Sequence, residues 1–382
     1  MGPGLVSQVS RATGVGLACL IAGLVAGLAT AGCATERVVQ MDPLTFTVVD
    51  QGDGKSVEAL DPEILFGDGN RAFEAQDFAL AAKKYALLVD KFPASRFAVV
   101  AGYNAGLALE KSGRPREAIP RYQAVAAKTA GSKDAQDALF RIAACAETLE
   151  DWKSMWDIGN QLVAPYFKDV GLPDRIAALA VRGRAAEGLG NLALAERDYR
   201  AALELYQKNL GVPALDMSPF VSLAQFRIAE IYRDLFASIH FKLPPDRMAR
   251  DLEDKSNFFL MSQNGYLRVL RLHHSEWAVI AGYRLGALYE VMYEDMLAAE
   301  VPTDLTQEEI EIYYDELKGK IRPWLERAID IYERNLRLGQ RFGKRDDWMK
   351  KTEASLARLK DVLRAESSRA AESQLKPLVR QP

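Results

Sequence analysis

Small and apolar residues recur along most of the chain at the spacing of an amphipathic α-helix. From Asp61 onward they return every three to four positions, which is the period of one helix face. The run Leu44–Val49 differs, because apolar and polar residues alternate there, and it predicts a single strand. The segment FAVVAGYNAGLALE at 97–110 returns 180 positions later as WAVIAGYRLGALYE at 277–290. An internal repeat of this kind predicts an array of similar helical units.

A second recurring pattern places a tyrosine four residues after a small residue. Its instances are Ala81/Tyr85, Ala118/Tyr122, Ala195/Tyr199, Ser262/Tyr266 and Ala328/Tyr332. Residues four apart lie on one face of a helix, so each pair is predicted to face a neighbouring helix. A small residue lets two helices approach closely, and the aromatic ring fills the space beside it.

These positions resemble the tetratricopeptide repeat, a two-helix unit of about 34 residues. The first copy matches the repeat's positions 8, 17, 20, 24 and 32 through Gly69, Phe78, Ala81, Tyr85 and Pro93. The second copy matches through Gly106, Gly113, Ala118 and Tyr122, and the fourth through Gly183, Gly190, Ala195, Tyr199 and Ala202. The third copy is degenerate, with Met155 and Gly159 in place of alanine and tyrosine. The resemblance implies an all-α fold, a tetratricopeptide-like superhelical solenoid of antiparallel helix pairs, over about residues 62–340.

The C-terminal half departs from the length of the repeat. A fifth copy begins near Ala229 and a sixth near Gly286, but insertions of about 20 and 30 residues interrupt them. Thr306 and Glu309 have the spacing of a capping box, which predicts that a helix starts in the second insertion. We expect regular repeats over 61–210, divergent repeats with longer helices over 211–366, ending in a capping helix from about Asp346, and a disordered tail over 367–382.

The first 32 residues have the pattern of a secretory signal peptide. One basic residue, Arg11, precedes the apolar stretch 14–28, and small residues follow it. The stretch is short and glycine-rich beside the roughly 20 apolar residues that a membrane-spanning helix needs, so cleavage is favoured over an uncleaved anchor. Two cleavage sites stay open: after Ala31, which would give a soluble periplasmic protein, or before Cys33.

The segment Ala31-Gly32-Cys33 resembles a bacterial lipobox, although Thr30 stands where leucine is usual. This resemblance implies lipidation of Cys33, with a tether over 33–60 behind it. By the sorting rule of enteric bacteria, Ala34 then implies an outer-membrane lipoprotein that faces the periplasm. Since Cys19 would be removed and Cys33 lipidated, Cys145 would be the remaining thiol, and no intramolecular disulfide is expected.

Charge and motif content argue against several function classes. The chain has 49 basic and 52 acidic residues, for a net charge of −3, and thus lacks the excess of basic residues that is typical of nucleic-acid-binding proteins. His240, His273 and His274 are not at metal-ligand spacing. The tripeptide 54–56, Gly-Lys-Ser, resembles the end of a phosphate-binding loop, but Val49 stands where that loop needs glycine. We therefore expect no enzyme activity, no cofactor and no metal.

The resemblance also assigns a binding face, because positions 5 and 12 of each first helix line the concave groove of such repeats. The aromatic residues at position 5 are Phe66, Tyr103, Phe140, Phe226 and Tyr283, and the acids at position 12 are Glu110, Glu147, Glu187 and Glu290. One interpretation is an aromatic ladder beside an acidic rail that binds a partner segment with apolar anchors and basic groups. The alternatives are that the aromatic residues form core and that the glutamates form a solvated helix face.

These inferences predict a non-catalytic scaffold, anchored to the outer membrane by its lipid, that docks a segment of an envelope protein or peptide. Similar lipoproteins serve β-barrel assembly, division, secretin or pilus assembly, and gliding motility, and the long late repeats look most like those of gliding-bacterium envelopes. The alternative function is a periplasmic enzyme or hydrolase regulator, with a cleft in the insertions around 235–260 and 294–320.

Overall fold

The computed structural model describes residues 45–50, 55–164 and 170–375, with side chains for 60–164 and 170–368. The predicted signal peptide (1–32) and the predicted lipidation site, Cys33, lie outside these residues. Two compact units make up the chain, Met1–Arg121 and Tyr122–Pro382.

A two-stranded antiparallel hairpin precedes the helices. Strand β1 (Thr45–Asp50) pairs with β2 (Lys55–Leu60), so that Thr45 lies opposite Leu60. The sequence pattern predicts β1 but not β2, because KSVEAL contains one β-branched residue and no aromatic residue. Pairing with β1 supplies the backbone hydrogen bonds that stabilise β2 despite this weak local preference. The described part of the predicted tether is therefore a hairpin.

Three helices follow in the first unit, and a fourth begins there: α1 (Pro62–Glu74), α2 (Phe78–Lys91), α3 (Ala98–Lys111) and α4 (Pro115–Lys128). Asp61 starts α1 by accepting a hydrogen bond from the Glu63 amide at 2.7 Å. Asp77 starts α2 in the same way through the Leu80 amide, at 3.0 Å. Both carboxylates satisfy N–H groups that have no partner within the first helical turn. Helix α2 packs against α1 and α3, as expected of consecutive helix pairs.

The second unit continues the succession of packed helices. Its members are α5 (Lys133–Thr148), α6 (Trp152–Val163), α7 (Leu172–Gly188), α8 (Leu192–Lys208), α9 (Pro219–Ser238), α10 (Pro245–Arg271), α11 (Ser275–Leu297), α12 (Gln307–Arg341) and α13 (Asp347–Leu375). Helices α5 to α8 have 12 to 17 residues, whereas α9 to α13 have 20 to 35. The predicted lengthening of the helices after residue 210 is confirmed.

The recurring tyrosines occupy helix interfaces, as their spacing predicts. Tyr85, Tyr122, Tyr199, Tyr266 and Tyr332 are each at most 1% exposed. Opposite three of these tyrosines stand glycines: a Cβ added to Gly69 would lie 2.5 Å from a ring carbon of Tyr85, one added to Gly183 would lie 2.8 Å from Tyr199, and one added to Gly286 would lie 2.5 Å from Tyr332. These contacts leave no room for a side chain, which explains why a small residue recurs at position 8. The all-α, tetratricopeptide-like fold is confirmed.

The degenerate third repeat keeps its helix pair. Met155 replaces the usual alanine of α6 and is buried. Gly159 replaces the tyrosine, and a Cβ added there would lie 3.0 Å from the Arg182 Cα. The backbones of α6 and α7 therefore approach each other where other repeats place an aromatic ring.

The two C-terminal insertions extend α10 and α12, and residues of the first insertion pack into a buried cluster. Phe236, Phe241, Phe259, Leu288 and Met292 form one buried cluster that joins α9, α10 and α11. Helix α12 starts with the predicted capping box, in which the Thr306 amide donates to Glu309 at 2.8 Å and the Glu309 amide donates to Thr306 at 3.3 Å.

A cation is buried beside this cluster. Lys255 is 0% exposed, and its Nζ donates to the backbone carbonyls of Phe236 at 2.8 Å and Ile239 at 2.7 Å. The same Nζ lies 2.7 Å from a carboxylate oxygen of Asp295. Two of the three N–H donors of the ammonium group thus have hydrogen-bond acceptors, and the Asp295 carboxylate balances its charge. Lys255 thus connects the last turn of α9 to α11.

The last described helix is longer than predicted. It starts at Asp347, close to the expected start, but it ends at Leu375. The helix includes residues 367–375 of the predicted disordered tail, where alanine, glutamate, glutamine and leucine favour helix; 376–382 lie outside the described residues. Among the helices of the described ranges, none is long and apolar enough to cross a lipid bilayer.

Candidate functional site

The aromatic residues of the predicted groove pack within the repeats. In the first unit, the Phe66 ring stacks on Phe97 with their centroids 5.0 Å apart. In the second, Phe226 is buried and lies 5.1 Å from the ring of Trp277. Three more residues are half-buried: Tyr103 in the first unit, and Phe140 and Tyr283 in the second. Phe226 therefore belongs to the buried core, whereas the other four aromatic residues of the predicted groove are only partly buried.

Two of the predicted glutamates are bound inside the second unit. Glu187, with 12% of its side chain exposed, accepts hydrogen bonds from the Tyr199 hydroxyl and from Arg227, both at 2.8 Å. Glu290, with 8% exposed, accepts one from the Tyr332 hydroxyl at 2.6 Å and pairs with Arg358. Burial raises the pKa of Tyr199 and of Tyr332, which keeps both hydroxyls protonated as donors.

The other two predicted glutamates differ from these. Glu147 in α5 has 45% of its side chain exposed and lies 2.9 Å from Arg184 of α7. Glu110, which belongs to the first unit, is half-buried at the end of α3. The four acids therefore do not share one environment.

A recurring contact links the first helices of successive repeats in the second unit. In each case a glutamate on one first helix pairs with an arginine on the next. The pairs are Glu147–Arg184 between α5 and α7, Glu187–Arg227 between α7 and α9, Glu230–Arg284 between α9 and α11, and Glu290–Arg358 between α11 and α13. We name these four pairs the charged ladder. It joins five helices that are not neighbours in sequence.

Three of the four pairs in the charged ladder expose the guanidinium group more than the carboxylate. Arg284 and Arg358 have 29% and 50% of their side chains exposed, whereas their partners Glu230 and Glu290 have 5% and 8%. The tyrosine hydroxyls and the arginines together hold these carboxylates inward. Glu187 and Glu290 of the predicted acidic rail therefore lie inward, and the arginine is the more accessible partner in three of the four pairs; in Glu147–Arg184 the glutamate is, with 45% of its side chain exposed against 21%.

Aromatic rings fix two of these arginines. The Arg184 guanidinium lies 4.6 Å from the centre of the Trp152 ring, and Arg284 lies 5.5 Å from Trp348. Such cation–π contacts hold the guanidinium plane while leaving its edge available for hydrogen bonds. Arg227 is deeper: burial, and then the neighbouring Arg184, lower its pKa to about 10.

Sequence analysis missed the arginines and Glu230. Glu230 follows the small residue Ala229 directly, so it falls at position 9 of its helix and not at position 12. A signal was nevertheless present, because Arg227 and Arg284 each stand two residues before the small residue at position 8. That shared offset would have placed both arginines on one face.

The histidines occupy connections and caps. His273 and His274 lie between α10 and α11, as predicted, and His274 accepts a hydrogen bond from the Trp277 amide at 3.5 Å. Burial lowers the pKa of His274, which favours the neutral acceptor form. His240 is exposed and lies 3.9 Å from Asp295. The described ranges contain no group of histidine, cysteine and acidic side chains that could hold a metal ion.

Comparison with known proteins gives distant structural similarity. No protein-family model matches the sequence, and no curated protein matches it. The chain is similar to a crystal structure of a tetratricopeptide repeat protein from Parabacteroides merdae, with 17% identity over 76% of this chain and 98% of that one, at a TM-score of 0.42. It is also similar to a repeat protein from Bacteroides fragilis, with 14% identity over 77% of this chain and 99% of that one, at a TM-score of 0.28. With identities and scores this low, the tetratricopeptide-like fold is established by the packing of this chain's own helices.

Proposed function

We propose that this protein is a non-catalytic scaffold that binds an acidic segment of a partner protein on the charged ladder. The observation that carries the proposal is that Arg227, Arg284 and Arg358, on successive first helices, are each more exposed than the glutamate with which they pair. Arrays of helical repeats provide extended surfaces for protein segments. Guanidinium groups at regular intervals bind carboxylates in preference to basic groups.

The aromatic residues support binding of the same kind of segment. Trp152 and Trp348 lie against ladder arginines, and Tyr283 packs 5.5 Å from Trp348. A partner segment that alternates acidic and apolar side chains would find both types of contact on this face. The proposed partner is therefore acidic, whereas the sequence analysis predicted a partner segment with basic groups that would bind the glutamates.

Selection of displayed random peptides tests this proposal. We expect enrichment of peptides that contain aspartate or glutamate, and loss of their binding when Arg284→Gln and Arg358→Gln are combined. An arginine contact with a carboxylate contributes about 1.5–3 kcal/mol, so each substitution should weaken binding by roughly 10-fold to 100-fold. Arg250→Gln is the matched control, because Arg250 is exposed on α10, away from the ladder. Equal binding by all three proteins would exclude the ladder as the site.

We further propose that the protein is a lipoprotein attached through Cys33 to the outer membrane and facing the periplasm. The support is the sequence 29–34 alone. Metabolic labelling with an alkyne-bearing fatty acid should mark the native chain and the Cys145→Ser control, but not Cys33→Ser. Membrane fractionation should then place the native chain with the outer membrane. A mature chain that begins at Gly32 and carries no label would show cleavage after Ala31 instead.

A further inference from the structure

The two ends of α12 carry opposite charge on the solvent side. Residues 304–317 contain six acidic and no basic residues, whereas 334–345 contain five basic and no acidic residues. Glu309 and Glu316 are exposed near the start of the helix, and Arg334 and Arg341 are exposed near its end. The spacing of these four residues places them on one face of the helix.

Each charged end also contains an apolar feature on this face. Ile312, among the glutamates, is 54% exposed. At the opposite end, Arg334, Arg337, Leu338 and Arg341 line a surface cavity of about 420 Å³. An exposed apolar side chain surrounded by acids therefore has a counterpart in an apolar residue surrounded by arginines.

The helix dipole explains only part of this arrangement. Acidic residues in the first turn and basic residues in the last turn are stabilised by the dipole, but the effect is confined to those turns. Glu316 lies beyond the first turn and Arg334 before the last turn of α12 (Gln307–Arg341). The dipole therefore does not account for the charges of these two residues.

We infer that a second copy of this chain binds here, with the two α12 helices antiparallel. A two-fold axis beside Leu325 brings together residues that are equally far from it along the chain. Glu309 and Arg341 are each 16 positions away, Ile312 and Leu338 each 13, Glu316 and Arg334 each 9, and Lys320 and Asp330 each 5. Three pairs join opposite charges and one joins apolar side chains, so the face is complementary to itself, as an isologous interface requires.

The existing contacts leave this face available. Arg334 pairs with Asp330 at 2.8 Å, but 65% of its side chain is exposed, and an exposed pair within a helix contributes little stability. Among the described residues, no ion pair is seen for Arg337 or Arg341. Gly319 lies at the edge of this face, six positions from the axis, and a Cβ added there would have no neighbour within 4 Å.

Charge reversal at each end gives a direct test. One variant carries Glu309→Arg and Glu316→Arg, and the other carries Arg334→Glu and Arg341→Glu. In the antiparallel arrangement each variant repels its own copy, but the two variants together restore every opposite-charge pair. Arg250→Glu on α10 is the matched control.

The full chain is measured in a mild detergent by size exclusion with light scattering. We expect a dimer of the 42.3 kDa chain for the native protein and the control, a dissociation constant raised at least tenfold for each variant alone, and dimers in the mixture. A native protein that is monomeric at about 100 μM, variants that dimerise normally, or a mixture that stays monomeric would each overturn the inference.

Cysteine pairing tests the register without changing the capping residue Glu309. A chain with Ile312→Cys mixed with a chain with Leu338→Cys should give a disulfide-linked dimer under mild oxidation. Either chain alone should give no more dimer than the parent chain, because like positions would lie about 39 Å apart at 1.5 Å per residue. Equal crosslinking in all samples would exclude this pairing.

Discussion

Replacing Lys255 by methionine is expected to destabilise the junction of α9, α10 and α11. Methionine fits the space of the lysine stem, but it donates no hydrogen bonds. The carbonyls of Phe236 and Ile239, which now accept at 2.8 and 2.7 Å, would lose their buried donor. The Asp295 carboxylate, 2.7 Å from Nζ, would lose its counter-charge. Removing one partner of a buried ion pair costs about 3–5 kcal/mol.

A second substitution separates the charge from the packing. In Lys255→Met with Asp295→Leu, no carboxylate is left unpaired, and such paired replacement is often close to neutral. We expect the double variant to recover at least about 1–2 kcal/mol, the cost of one unsatisfied buried group. The carbonyls of Phe236 and Ile239 would still lack their donor, so recovery should be incomplete.

The measurement is the local opening free energy from hydrogen exchange of peptides that cover the end of α9 and the middle of α11. Because repeat arrays open unit by unit, this local quantity is better defined than a global unfolding free energy. Lys242→Met, at an exposed lysine of the same connection, is the control and should change little. An opening free energy lowered by less than about 1 kcal/mol in Lys255→Met, or equal losses in the single and double variants, would refute this account.

Two further outcomes follow from the buried interfaces. Gly286→Ala should lower the melting temperature, because its Cβ would lie 2.5 Å from Tyr332 and overpacking costs about 1–3 kcal/mol; Gly67→Ala on α1, where the nearest atom to an added Cβ is the end of the Arg71 side chain at 3.6 Å, should leave it unchanged or raise it. At alkaline pH the buried tyrosines should destabilise the fold. Burial raises the pKa of Tyr199, Tyr266 and Tyr332 above its value in the unfolded chain. The protonated tyrosines therefore contribute fully to the free energy of unfolding below about pH 10. Above that pH, this free energy should fall by about 1.4 kcal/mol per tyrosine and pH unit. Tyrosinate absorbance should rise together with the loss of helical circular dichroism; ionisation in a protein that stays helical would contradict this.

The repeat geometry was predictable because it depends on residues close in sequence. Gly183 and Tyr199 lie on the two helices of one repeat, and the size of both side chains follows from the need to fill that single interface. The pattern of small and aromatic residues therefore carries the fold. By contrast, KSVEAL forms a strand only through its partner strand.

The charge contacts were not predictable because they join different repeats. Glu187 and Arg227 are 40 residues apart, and their contact depends on how far each repeat is rotated from the previous one. Nor does a helical pattern distinguish a buried lysine from a solvated one, as Lys255 shows. A lysine can be buried in the core when backbone carbonyls and a carboxylate surround its ammonium group, as those of Phe236, Ile239 and Asp295 do here.

The charged ladder has a consequence for how such a chain can evolve. Each glutamate contacts an arginine of the next first helix and nothing more distant along the ladder. Glu147 and Glu187 hold the same repeat position, so excising α7 and α8 would place Glu147 against Arg227, and the new junction would have the same chemistry as the old one. Unequal recombination between repeats could therefore change the length of the protein without creating an unpaired buried charge.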